Sequence, residues 1–155
     1  MSSFFEIKQI DRDAIDYLVR NLENIEKDKD VNGGLANAGG VLKSGGLRRL
    51  KQRMKSGSRG FTGNLLKSFT VRVKKRKPGV LVGFRQKGQK GGHAHLVDRG
   101  TENRFYKTKT GENKSTGRVI GNFFWTDTAS EDYPQAIDRL YEGIEKAVNR
   151  INNRQ

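Results

Sequence analysis

The 155-residue sequence predicts an α+β fold: a small antiparallel β-sheet with a basic β-hairpin, flanked by an N-terminal and a long C-terminal α-helix. Two observations predict it. Apolar residues recur at helical spacing near both ends of the chain. Between those ends, residues 68–84 alternate apolar and polar side chains on either side of a Pro-Gly turn. The length fits one domain, residues 1–155, large enough to bury a core without covalent staples.

The first element is "DRDAIDYLVRNLENIEKDK", residues 11–29. Ile15, Leu18, Val19, Leu22 and Ile25 follow i, i+3, i+4, i+7 spacing, and Asp11 and Asp13 suit the positive end of a helix. Residues 32–46 carry glycine pairs at 33–34, 39–40 and 45–46. Each glycine inside a helix costs roughly 0.5–1 kcal/mol relative to alanine, so this stretch reads as a loop or as a weak helix that orders only against a neighbour. It lacks the Gly-Lys-Ser/Thr of a phosphate loop. Residues 47–55 then form a short basic helix with Leu47, Leu50 and Met54 on one face.

The hairpin follows. Thr62 or Asn64 can cap a helical turn that carries Leu65 and Leu66, and Ser68 can satisfy backbone groups at the strand start. Phe69, Val71 and Val73 form one strand face, Pro78-Gly79 the turn, and Val80, Leu81, Val82 and Phe84 the return strand. Lys74, Lys75, Arg76 and Lys77 project from the tip, and Arg85, Lys87 and Lys90 lie in the basic loop beyond it. "HAHLVDRG", residues 93–100, reads as a third strand, ended by a left-handed turn at Gly100. Residues 102–121 are a polar surface excursion with a short strand at 118–120. Pro134 opens the last helix, whose stripe is Ala136, Ile137, Leu140, Tyr141, Ile144, Ala147, Val148 and Ile151.

Charge is segregated. Residues 1–30 hold 5 basic and 8 acidic residues, residues 31–97 hold 16 basic residues and no acid, and residues 98–155 hold 10 basic and 9 acidic. The net charge of +14 therefore arises in the middle of the chain, which predicts a positive surface suited to phosphates or to an acidic protein. The absence of cysteine excludes disulfides, thiolate metal sites and cysteine nucleophiles. No apolar run approaches the ~20 residues of a membrane span, and the residues after Met1 do not read as a signal peptide. His93 and His95 share a face if they lie on a strand, but zinc needs further ligands and no other histidine exists. No nucleophile or cleft accompanies them as a general base requires. No metal or cofactor is expected, and the chain does not read as an enzyme.

Three short stretches carry a more specific signal: "FTGNLLKSF", "HAHLVDRGT" about 25 residues later, and "GNFFWTDTA" about 20 residues after that. Their order and spacing resemble the tail-completion or head–tail joining family of tailed phages, the minor-tail-protein-Z-like family, over residues 45–150. The family's Thr-Gly-x-Leu-x-x-Ser stretch matches Thr62, Gly63, Leu65 and Ser68. Its aromatic-rich strand ending in an acid and Gly-Thr matches Asp98, Gly100 and Thr101, with His93 where an aromatic is usual. Its Pro-Phe and alanine at the head of the last helix match Phe123 or Phe124 and Ala129. Asp98 replaces the usual Glu, and the proline is absent.

The resemblance implies a structural virion protein of the neck or tail, made in the bacterial cytoplasm. It implies a homo-oligomeric ring between the portal side and the tail, in contact with other neck, portal-adaptor or tail proteins. The basic tip and loop would then face packaged double-stranded DNA in the channel or an acidic partner ring. No membrane is involved. Of Phe123, Phe124 and Trp125, one is expected to face something beyond this chain's own core. The alternative is a non-catalytic, basic nucleic-acid-binding protein with salt-dependent, sequence-independent affinity.

Overall fold

The computed structural model describes residues 28–54, 63–74, 76–86, 88 and 91–152. The elements are α1 (Lys29–Arg53), α2 (Asn64–Ser68), β1 (Phe69–Val73), β2 (Val80–Phe84), a 3₁₀ turn (Gly91–His93), α3 (Ala94–Arg99), β3 (Arg104–Lys107), β4 (Asn113–Gly117), α4 (Phe124–Glu131) and α5 (Tyr133–Asn152). The class is α+β, with two separate two-stranded antiparallel sheets in place of one. The helix expected at residues 11–29 lies outside the described residues, apart from its last two positions.

The glycine-rich stretch and the basic stretch after it are one helix, α1. Asp28 caps it, accepting a 2.7 Å hydrogen bond from the Asp30 amide. Four of the six glycines do not break α1 because tertiary contact needs them bare. Gly34, Gly39, Gly45 and Gly46 are buried. A Cβ on Gly39 would sit 2.6 Å from Val71 and 2.8 Å from Val80, and one on Gly46 would sit 2.7 Å from the Phe69 ring. The sheet therefore lies directly against the α1 backbone.

On another side α1 runs antiparallel to α5. A Cβ on Gly143 would lie 2.6 Å from both the Asp30 carbonyl oxygen and the Gly34 Cα, so the two backbones touch at this crossing. Val31, Leu35, Ala38 and Leu42 from α1 share one core with Ala136, Leu140, Ile144 and Ala147 from α5. The stripe expected on α5 holds except at Tyr141, which is 42% exposed, and Ile151, whose side chain lies outside the description. Arg150 closes the end of the pair by bonding Asp28 and, at 2.8 Å, Asp30.

The hairpin forms with the expected strands, in a register that runs from Phe69 opposite Phe84 to Val73 opposite Val80, and Lys74 N–H donates to the Gly79 carbonyl across the turn. At its base Phe69 and Phe84 lie 4.4 Å apart between ring centroids, and both pack on Trp125, at 5.3 and 6.0 Å.

The third strand is not formed. Residues 94–99 are helical, and His93 is the residue before the helix. "HAHLV" alternates in a way that fits a strand, but Ala94 and Asp98, four apart, are its buried residues, which is a helical face. The excursion at 102–121 is a hairpin, β3 paired with β4, with a register shift between Arg104 and Phe105. The strand expected at 118–120 is only an isolated bridge from Ile120 to Gly100.

Candidate functional site

The three sequence stretches meet at the start of α4. That helix opens on Phe123, Phe124 and Trp125, and its N-cap residue Phe123 supplies no side-chain cap. Asp98 supplies it from α3. Its carboxylate is fully buried and accepts from Trp125 N–H at 2.7 Å, Thr126 N–H at 3.1 Å and the Thr126 hydroxyl at 2.6 Å. A helix start leaves its first amides without partners and carries partial positive charge, and a buried acid satisfies both. The backbone joins the same node. Asn122 N–H donates to the Val97 carbonyl and Phe123 N–H to the Asp98 carbonyl.

Gly100 and Thr101 hold the other side. Gly100 has φ 81°, and a Cβ there would sit 2.6 Å from the Val119 carbonyl oxygen. Thr101 N–H donates to Val119, whose own N–H donates to the Thr101 hydroxyl at 3.0 Å. The first stretch arrives through the aromatic cluster. Gly63, with φ 69°, is the N-cap of α2 without a side-chain bond, Leu65 is buried, and the Ser68 hydroxyl donates to the Leu65 carbonyl at 2.7 Å. Asn64 is the first helical residue rather than a cap, and Thr62 lies outside the described residues. Ala129 is exposed on α4.

Of the three aromatics, Phe124 and Trp125 are buried, whereas Phe123 is 50% exposed. Phe123 also holds a left-handed backbone, φ 53°, which is costly for a bulky residue.

The basic middle of the chain divides in two. Arg49 turns inward from α1 and is only 7% exposed. It bonds Asp132 at 2.5 and 3.1 Å, Glu131 at 2.5 Å and the Thr128 hydroxyl at 3.2 Å. Hydrogen bonding to Asp132 first, and to Glu131, holds its guanidinium charged well above the ordinary arginine range despite its burial. A Cβ on Gly45 would lie 1.7 Å from Asp132, so this ion pair needs a glycine beneath it. Arg53 bonds Asp127 at 2.5 Å and the Asn122 carbonyl at 3.0 Å. For these two cations, the acidic partner is the chain's own α4 region.

The cations of the hairpin tip and base are exposed where the structure describes them. Lys74, Arg76 and Lys77 are exposed at the hairpin tip, and Lys75 lies outside the described residues, as do Lys87 and Lys90. Arg85 is exposed too, but at the opposite end of the sheet, with its N–H bonded to the Ser68 carbonyl. At 3.3 Å per residue the tip and Arg85 stand about 20 Å apart, so among the described residues the expected cations do not converge on one point.

A feature that charge and periodicity did not single out is the arm formed by β3 and β4. Every residue of both strands is exposed, including Phe105 at 63% and Tyr106 at 49%. At its root Ile120 is 78% exposed. Phe105-Tyr106 between two cations was the available signal, an aromatic pair in an otherwise polar segment.

His93 is exposed and His95 half-buried in the helical segment, where a spacing of two places side chains on different sides and removes the shared strand face. Among the described residues, no group of three or more His, Cys, Asp or Glu is placed to hold a metal ion. An open groove of about 550 Å³ between α1 and α5 includes Asn37, Ser44, Arg48, Gln135 and Arg139. Its acid, Asp132, is committed to Arg49 through both oxygens. Among the described residues no helix is long and apolar enough to cross a membrane. Comparison with protein-family models, characterised proteins and solved structures finds no match to this chain.

Proposed function

We propose that this chain is a structural virion protein of a tailed phage, a non-catalytic subunit of a homo-oligomeric ring at the neck or tail end that joins head to tail. The observation that carries the proposal is the node at the start of α4. Phe69 of the first stretch, Asp98 of the second and Trp125 of the third are far apart in sequence, and they meet there: Asp98 accepts from the Trp125 amide, and the Phe69 ring packs on the Trp125 ring. Short motifs that complete one another in space are a stronger sign of kinship than the same motifs in sequence alone. The exposed arm and the half-exposed Phe123 are the surfaces such a subunit would offer to its neighbours.

The exposed tip residues Lys74, Arg76 and Lys77 favour a second reading, a non-catalytic nucleic-acid-binding protein. Against it, Phe69 and Phe84 beside the basic segment pack on each other and on Trp125, which leaves no stacking platform on that sheet. Quantitative mass spectrometry of purified, nuclease-treated particles separates the two. The virion reading expects a fixed, ring-like copy number relative to the portal. Absence from intact particles overturns it in favour of the nucleic-acid binder.

A further inference from the structure

An isolated two-stranded hairpin is at best marginally stable in water. The β3–β4 arm is such a hairpin, with every residue of both strands exposed, and it carries two large aromatics. Phe105 and Lys107 share one face with their cross-strand partners Ser115 and Asn113, and Tyr106 shares the other with Lys114. Each face thus pairs an aromatic ring with a lysine. Residues 102–118 hold 5 basic and 2 acidic residues. A partner must therefore offer apolar area beside negative charge.

The chain itself carries such a surface. On α5, Asp138, Glu142 and Glu145 are exposed at i, i+4 and i+7, which places all three on one side of the helix. Tyr141, 42% exposed, lies next to them. Residues 124–152 hold 6 acidic and 3 basic residues, opposite in balance to the arm.

We propose that the arm of one copy docks on this acidic outer face of α5 in a second copy. This deepens the ring reading and rests on it. The contact is heterologous, since arm and α5 face are different surfaces, so each subunit donates one arm and receives another. Repetition of such a contact closes into a ring when the rotation allows. Lysine–carboxylate pairs fix the register, and burial of Phe105 or Tyr106 against Tyr141 supplies apolar area.

The test is sedimentation velocity on the full chain, using two charge-reversed variants. One is Lys107→Glu with Lys114→Glu in the arm. The other is Asp138→Lys with Glu142→Lys and Glu145→Lys on α5. All five positions are exposed, and Glu142→Lys breaks only an exposed ion pair with Arg139, worth about 0.5 kcal/mol, so circular dichroism should match the wild type and the melting midpoint should fall by no more than a few degrees, which certifies folding. The wild type should sediment as an oligomer, and each variant alone as the 17.5 kDa monomer. An equimolar mixture should regain the wild-type oligomer, because each reversed surface then meets an opposite charge. A wild type that stays monomeric assigns the arm to some other partner and overturns the inference. So does an arm variant that assembles normally, or a mixture of monomeric variants that fails to recover. A ring that survives arm reversal leaves the virion reading standing, whereas absence from particles sinks that reading independently.

Discussion

Asp98 decides more than any other single residue in this fold. It is fully buried, and three donors at the start of α4 depend on it. Removing one partner of a buried, charge-assisted hydrogen bond costs about 1.5–3 kcal/mol. Asp98→Ala should therefore destabilise the protein by about 3 kcal/mol, a fall of ~6–12 °C in the melting midpoint. Asp98→Asn retains one acceptor oxygen and should lose less. Equal midpoints for wild type and Asp98→Ala would remove the cap from the account. Phe123 makes the opposite case. Its ring is half-exposed, and its left-handed backbone carries strain of about 1–3 kcal/mol. Phe123→Gly should leave the melting midpoint unchanged or higher and, on the proposed virion reading, should reduce incorporation into particles. A marked drop in the midpoint would show that the ring serves the fold and not a partner.

At the scale of elements, α1 is a helix made by its neighbours. Gly33 and Gly143 test this directly. Nothing lies within 4 Å of a Cβ on Gly33, so Gly33→Ala should stabilise the chain by roughly 0.5–1 kcal/mol. Gly143→Ala forces a methyl group to 2.6 Å from the backbone of Asp30 and Gly34, which cannot rotate away. Overpacking of this kind costs about 1–3 kcal/mol, so urea titrations of the two variants should move in opposite directions. The α1–α5 pair is also acid-sensitive at its closed end. Burial pushes the Asp28 carboxyl up, but the Asp30 amide and then Arg150 outweigh it and hold its pKa below the ordinary value. Such a group contributes stability above about pH 4, and that contribution is lost as pH falls through the lowered folded-state value. The difference in midpoint between wild type and Arg150→Met should be largest near neutral pH and should shrink below about pH 4. A pH-independent difference would mean that Arg150 acts through packing alone.

Across the whole molecule, charge is divided by function. Arg49 and Arg53 hold α1 to α4 and its neighbouring turn, whereas Lys74, Arg76 and Lys77 stand in solvent at the far end of the hairpin. Reversing Arg76 and Lys77 to Glu should leave the melting midpoint within about 1 °C of wild type, since exposed substitutions away from packed features stay within about 0.5 kcal/mol. On the proposed virion reading it should block assembly or DNA retention. Normal infectious particles from that variant would take the tip out of the mechanism. Arg49→Met, by contrast, strands Asp132 beneath the helix and should unfold the chain at lower temperature.

The sequence by itself determined the α+β class, the two strands of the basic hairpin and the C-terminal helix. Each rests on local chemistry: alternation around Pro78-Gly79, and an apolar stripe from Ala136 to Val148. Through the family resemblance it also grouped Asp98, Gly100 and either Phe123 or Phe124, without saying what they do. Tertiary structure decided the rest. A helix through six glycines is unfavourable alone, and α1 exists because the sheet, α5 and Asp132 each need a place where no Cβ stands. "HAHLV" alternates like a strand, yet Asp98 must reach the start of α4, and a helical turn delivers it. Spacing along a chain records what one element prefers. It does not record which backbone will come close enough to forbid a methyl group, or which distant amides will need an acid.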